Sequence, residues 1–92
     1  MQVIEFKQNE YPSSILQQAD TLYVGLTIIS QNDKEHTCPE AGRVLNYTFN
    51  GELLVLKTQA DFTGAIMDMT MTGSHFRRLL IAVNNKLIML GA

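Results

Sequence analysis

Apolar and polar residues alternate along short stretches of this chain, which is the pattern of β-strands that are half-buried against a core. Residues 22–30 are rich in β-branched and aromatic side chains and are apolar on both faces, so they predict a strand in the middle of a sheet. Residues 66–72 alternate strictly, with Met67, Met69 and Met71 on one face and polar residues on the other. This alternation predicts a half-buried strand whose methionines fill a core, with an adaptable binding surface as the second interpretation.

Asn50-Gly51 is the strongest local turn signal, because a type I′ turn needs positive φ at both central positions and this pair accepts it cheaply. A two-residue loop there predicts a hairpin whose apolar face is buried, and the register pairs Phe49 with Glu52, Tyr47 with Leu54, and Leu45 with Leu56. A competing helix over residues 39–48 would use the capping-box spacing of Thr37 and Glu40. We favour the hairpin, since the helix would scatter these cross-strand pairs.

The two ends of the chain give less regular signals. Residues 3–6 predict a short strand, and Tyr11-Pro12-Ser13-Ser14 predicts a break before a short helix over residues 14–19. Residues 75–90 fit a helix or a hairpin, and we favour a hairpin that turns at Asn84-Asn85, because two arginines in a first helical turn would oppose the macrodipole. Together these elements predict a mainly β fold, α+β at the margin: a small antiparallel sandwich or partly open barrel of about seven strands with one short N-terminal helix.

Length, composition and charge narrow the functional classes. A chain of 92 residues, 46% of them hydrophobic, is expected to form a single domain over residues 1–92. The net charge of -2 disfavours a protein that binds nucleic acid by neutralising phosphates. No apolar run reaches the roughly 18 residues of a membrane span, and the start lacks the features of a signal peptide. The single cysteine, Cys38, excludes a disulfide framework within the chain, so we expect a cytoplasmic protein without membrane contact.

Few residues of the chain could carry catalytic or metal chemistry. The good soft or imidazole ligands are His36, Cys38 and His75, whereas a structural zinc site normally takes four ligands. Cys38 beside His36 offers a nucleophile and a base, but no orienting acid or oxyanion-forming turn accompanies them. The sequence also lacks the phosphate-binding and hydrolase motifs. We therefore expect no metal, no cofactor and no enzyme activity.

The longest polar stretch, residues 31–41, is the expected specificity element of a binding protein. Candidate partner-binding residues lie in this stretch and just before the last hairpin: Asp33, Lys34, Glu35, His36, Arg77 and Arg78. The hairpin itself is apolar on both faces, and a core of this size covers only one of them. The main hypothesis is a non-enzymatic protein-binding module, a small inhibitor or accessory protein that contacts another protein and forms a homodimer through residues 79–90.

A second hypothesis is a small nucleic-acid-binding β-barrel. Aromatic side chains would stack on bases while arginines contact phosphates, as in grooves that bind single strands. The residues of this kind are Tyr47, Phe49 or Phe76, with Arg43, Arg77 and Arg78. The absence of a basic surplus makes nucleic acid the less favoured partner.

Overall fold

The computed structural model describes residues 1–29, 39–73 and 78–90, which form seven β-strands in two antiparallel sheets. The four-stranded sheet has the order β1-β2-β3-β4 and contains β1 (Glu10–Gln18), β2 (Thr21–Ile29), β3 (Pro39–Phe49) and β4 (Leu54–Phe62). The three-stranded sheet has the order β5-β6-β7 and contains β5 (Ile66–Thr72), β6 (Arg78–Val83) and β7 (Lys86–Leu90). The two sheets share a core, so the predicted mainly β fold is confirmed and takes the form of a sandwich.

The N-terminal elements differ from those predicted. Residues 14–18 belong to β1 rather than to a helix, because eight of the nine residues of β1 pair with β2 and such pairing outweighs an isolated helix of six residues. Residues 3–6 form no strand. Instead, Ile4 and Phe6 pack against the side of the four-stranded sheet that faces away from the three-stranded sheet. The apolar residues Ile4 and Phe6 therefore belong to a segment that covers a face of the sheet without forming a strand.

The hairpin at Asn50-Gly51 is confirmed as β3 and β4, which makes the helix over residues 39–48 wrong. Its loop has four residues rather than two, because the side chain of Asn50 accepts hydrogen bonds from the amides of Glu52 at 3.0 Å and Leu53 at 2.9 Å. The observed pairs are Phe49 with Leu54 and Tyr47 with Leu56. Beside the loop the register is thus displaced by two residues, and an even displacement keeps the same side chains on the same face. Beyond the extra residue Lys57, Leu45 pairs with Gln59 and not with the predicted Leu56.

Two apolar clusters lie on opposite sides of the four-stranded sheet. Between the sheets, the buried members are Val44, Ile66, Met69, Leu79, Ile81 and Val83. Under the N-terminal segment, the buried members are Val24, Leu26, Leu45 and Tyr47. On the hairpin face that was predicted to be buried, Leu54 is only half-buried, because it is the first residue of β4 and lies beside the loop. Phe49 and Leu56, on the same face, are exposed.

The sheets approach each other closely around Ile66. A Cβ atom added to Gly25 of β2 would lie 2.5 Å from Cγ2 of Ile66, so only glycine leaves room for this side chain. On β1, the hydroxyl of Ser13 donates to the carbonyl oxygen of Ile66 at 2.7 Å and lies 2.8 Å from the hydroxyl of Thr27. Polar contacts therefore join β1 to the first residue of β5.

The methionine face of β5 is interrupted by a bulge. Met67 is an extra residue between Ile66 and Asp68 in the pairing with β6, and it is 62% exposed. Met69 is buried and Met71 is half-buried in the core between the sheets. The core interpretation is therefore correct for Met69 and Met71 and wrong for Met67.

Candidate interaction surface

The C-terminal hairpin presents one face to the core and one to solvent. β6 and β7 are joined by the predicted two-residue turn at Asn84-Asn85, which confirms the hairpin over residues 78–90. Residues 75–77 lie outside the described residues. The face toward the core carries Leu79, Ile81, Val83, Ile88 and Leu90, and the opposite face, here called the outer face, carries Leu80, Ala82, Leu87 and Met89.

The outer face is apolar and open. Leu87 is 72% exposed and Met89 is 52% exposed, while Leu80 and Ala82 beside them are half-buried. A shallow depression of about 110 Å³ lies between the hairpin and β5. Large apolar side chains that lie next to each other on a surface are usually buried by another element or by a partner. This surface is therefore a candidate for contact with another protein.

Polar side chains border the outer face. Asp68, Thr70 and Thr72 lie on the neighbouring strand β5, opposite Ala82, Leu80 and Arg78 respectively. The guanidinium of Arg78 donates to the sulfur of Met89 at 3.7 Å, so it covers part of the apolar surface. An apolar centre with a polar border is the usual composition of a protein–protein contact.

The four edge strands differ in how they are protected against pairing. β1 carries Pro12 and a bulge at Ser13, and the pairing of β4 with β3 is interrupted at Lys57. β5 carries the bulge at Met67. β7 pairs with β6 in an unbroken register over its full length, and its charged residue, Lys86, stands beside the turn. Bulges, prolines and central lysines block strand addition, and β7, a short strand of five residues, carries none of them.

A larger groove of about 420 Å³ lies at the end of the four-stranded sheet where the β1–β2 turn meets the β3–β4 loop. Leu22, Phe49 and Leu54 form its apolar part. The side-chain amide of Gln2 borders it, donating to the carbonyl oxygen of Leu54 at 3.1 Å and accepting from the Leu54 amide at 2.9 Å. Because the Gln2 side chain bonds both the amide and the carbonyl oxygen of Leu54, β4 cannot use these two groups to pair with a peptide.

Arg43 forms the main ion-pair cluster of the described residues. Its guanidinium contacts Glu10 of β1 at 2.9 Å and Asp61 of β4 at 2.6 Å. The hydrogen bond to Asp61 outweighs burial, which acts in the opposite direction, so the pKa of Arg43 is raised. Both carboxylates engage the guanidinium, so the cluster ties three strands together.

The predicted site residues are only partly placed. Asp33, Lys34, Glu35, His36 and Arg77 lie outside the described residues, as do Cys38, His75 and Phe76. Arg78 lies at the exposed start of β6, at the border of the outer face.

Asp68, Thr70 and Thr72 were not predicted to neighbour the outer face. Their alternation with the methionines had indicated that they share one face of a strand. Which strand they pair with could not be read from that alternation.

Searches against protein-family models and against curated proteins found no match for this chain. Across residues 1–29, 39–73 and 78–90, no group of three or more His, Cys, Asp or Glu side chains is placed to hold a metal ion. The same ranges contain no helix of the length and hydropathy that crossing a membrane requires.

Proposed function

We propose that this protein is a non-enzymatic protein-binding module, a small inhibitor or accessory protein, that self-associates through its C-terminal hairpin. The observation that carries the proposal is the open apolar outer face, where Leu87 is 72% exposed beside Met89. Isolated exposed leucines are normal, but adjacent apolar side chains on a strand are unfavourable in contact with water. A partner that buries these side chains removes this cost. The partner to which we commit is a second copy of the chain.

The total surface of the chain supports a partner of this size. The accessible surface is 6626 Å² for a mass of 10.3 kDa. A compact monomer of that mass exposes about 5,400 Å², which leaves a surplus of about 1,200 Å². A standard protein–protein interface takes about 800 Å² from each partner. The surplus, which is summed over the whole chain and not over the described residues alone, is of the order of one such interface.

The flat shape of the molecule contributes to this surplus. Its principal extents are 45, 34 and 15 Å, so the smallest dimension allows only two sheets, about 10 Å apart, with no third layer. Each sheet must then leave one face to solvent or to a short covering segment. The four-stranded sheet has Ile4 and Phe6 over that face, whereas no described residue covers the outer face of the three-stranded sheet.

The polar stretch 31–41 with Asp33, Lys34, Glu35 and His36 is kept as the proposed specificity element, although its last three residues, 39–41, belong to β3. Arg78 with Arg77 are kept as proposed contacts beside the hairpin. A cytoplasmic setting is proposed as well, because one cysteine in the chain suits a reducing compartment. These parts of the proposal rest on the sequence alone.

The nucleic-acid hypothesis receives less support. Tyr47 is buried under the N-terminal segment, which takes its ring away from a stacking role, and Arg43 is engaged by two carboxylates. Phe49 and Arg78 are exposed but lie on different sheets. We therefore propose no second function.

Light scattering across a concentration series tests the proposal. The unmodified protein is expected to approach twice 10.3 kDa at high micromolar concentration. Leu87→Lys should reduce the mass to that of the monomer, whereas the matched control Ile15→Lys, at a 68% exposed position on β1, should not. A monomeric mass of the unmodified protein at every concentration would refute self-association.

A further inference from the structure

The unequal protection of the four edge strands indicates how two copies meet. Three of the edges, β1, β4 and β5, carry an extra residue in their pairing, at Ser13, Lys57 and Met67. The β5 edge is further occupied by the hydrogen bond from Ser13 to Ile66. β7 alone among the four runs without an extra residue. A regular edge that lacks these interruptions presents unpaired backbone groups with which a strand of another chain can pair.

We propose that β7 pairs antiparallel with β7 of a second copy, about a two-fold axis at Ile88, so that the two three-stranded sheets form one sheet of six strands. The inference rests on the proposed self-association and specifies its geometry. Ile88 is the central residue of β7, so this register overlaps the full strand with itself. An isologous interface of this kind closes after two copies.

The backbone of β7 suits this register. Val83 and Lys86 flank the two-residue turn, so they form a hydrogen-bonded pair, and the alternation of antiparallel pairs makes Ile81 and Ile88 the next one. The amide and carbonyl groups of Leu87 and Met89 therefore point away from β6. About the axis at Ile88, Leu87 stands opposite the partner's Met89, and each such pair can exchange two backbone hydrogen bonds.

The side chains of β7 suit it as well. Leu87 and Met89 lie together on the outer face, and pairing gives each an apolar cross-strand neighbour in the second copy. Ile88 lies on the opposite face, half-buried against the core between the sheets, and would contact the partner's Ile88. Both faces of the junction are thus apolar, and Lys86 stays at its periphery.

Amide hydrogen exchange resolved by residue tests this geometry, with the unmodified protein measured at low and high concentration. We expect the amides of Leu87 and Met89 to exchange at least about tenfold more slowly once the protein is dimeric. The Ile88 amide is the internal control, because it is bonded within the hairpin and should be protected at both concentrations. Packing of the outer faces against each other would instead leave the Leu87 and Met89 amides fast.

Two variants at one position give an independent test. Met89→Pro removes the outward amide donor while leaving the bonds between β6 and β7 in place, and it should give a monomer. Met89→Ala keeps that donor and should remain dimeric at high concentration. A dimer with fast Leu87 and Met89 amides, or a dimeric Met89→Pro variant, would overturn edge pairing alone. A monomeric unmodified protein would overturn the proposed self-association with it.

Discussion

Asn84 and Ala65 exchange two hydrogen bonds although 19 positions separate them in the chain. The Asn84 amide donates to the carbonyl oxygen of Ala65 at 3.1 Å, and the Ala65 amide donates to the side-chain oxygen of Asn84 at 3.1 Å. Asn84 belongs to the β6–β7 turn, while Ala65 immediately precedes β5. The bonds therefore fix the turn that precedes β7 against the connection between the two sheets.

Replacing Asn84 should destabilise the fold through two separable effects. Asn84 has a φ of 52°, which asparagine tolerates better than most residues. We expect Asn84→Ala to lower the free energy of unfolding by about 1–3 kcal/mol, from the lost side-chain bond and the strained φ. Asn84→Gly should cost less, because glycine adopts this φ without strain and only the side-chain hydrogen bond is lost. Urea unfolding measures both, and an equal loss in the exposed control Asn85→Ala would show that the Ala65 contact is not responsible.

Close packing at Gly25 should appear as coupling with Ile66. Gly25→Ala places a methyl group 2.5 Å from Cγ2 of Ile66 and should cost about 1–3 kcal/mol. Ile66→Ala alone should cost about 2–5 kcal/mol by leaving a cavity in the core. The double variant should be less destabilised than the two single costs together, because each change relieves the other. Strict additivity in a double-mutant cycle would contradict the contact.

The buried phenol of Tyr47 should make the protein sensitive to alkaline pH. Burial raises the pKa of Tyr47 above its ordinary value of about 10. The folded state then keeps a proton that the unfolded state loses, so stability is complete below about pH 10 and falls as the pH rises toward the folded-state pKa. Tyr47→Phe should show a smaller alkaline loss in denaturant unfolding between about pH 9 and pH 11. Parallel curves for the two proteins would be evidence against this role of Tyr47.

The β3–β4 hairpin shows which part of the fold was predictable. Asn50-Gly51 marked the turn correctly, but the Asn50 side chain bonds the amides of Glu52 and Leu53 and lengthens the loop. The error in register was two residues, so the strand faces were still predicted correctly as far as Leu56. Beyond it, the extra residue Lys57 reverses the alternation, and no local pattern in the sequence marks that point.

The N-terminal error has a different physical origin. Within residues 14–18, Ile15 favours a strand whereas Leu16, Gln17 and Gln18 favour a helix, so the conformation depends on the β2 strand beside the segment. That tertiary pairing is not encoded in the segment itself. The same holds for residues 3–6, whose alternating apolar side chains cover a sheet face without joining a sheet.

The candidate surface was predictable in its apolar part only. Period-two alternation through Asn84-Asn85 placed Leu87 and Met89 on one face, as the structure does. The significance of β7 as an edge depends on the bulges at Ser13, Lys57 and Met67 in three other strands. Bulges arise from how strands pair, so they could not be assigned from local residue patterns.

Self-association should also appear in the concentration dependence of thermal stability. A dimer that is more stable than its separated chains unfolds at a higher temperature as concentration rises, by mass action. The double variant Leu87→Lys/Met89→Lys should abolish this dependence, because it places two charges at the junction of the copies. Both side chains are more than half exposed in the single chain, so the variant should match the unmodified protein at low concentration to within about 1 kcal/mol. Calorimetry from about 10 μM to 1 mM measures both effects.

Two results would contradict this prediction. Loss of folding in the variant at low concentration would place Leu87 and Met89 within the protein's own core. A concentration-independent midpoint for the unmodified protein would exclude the dimer.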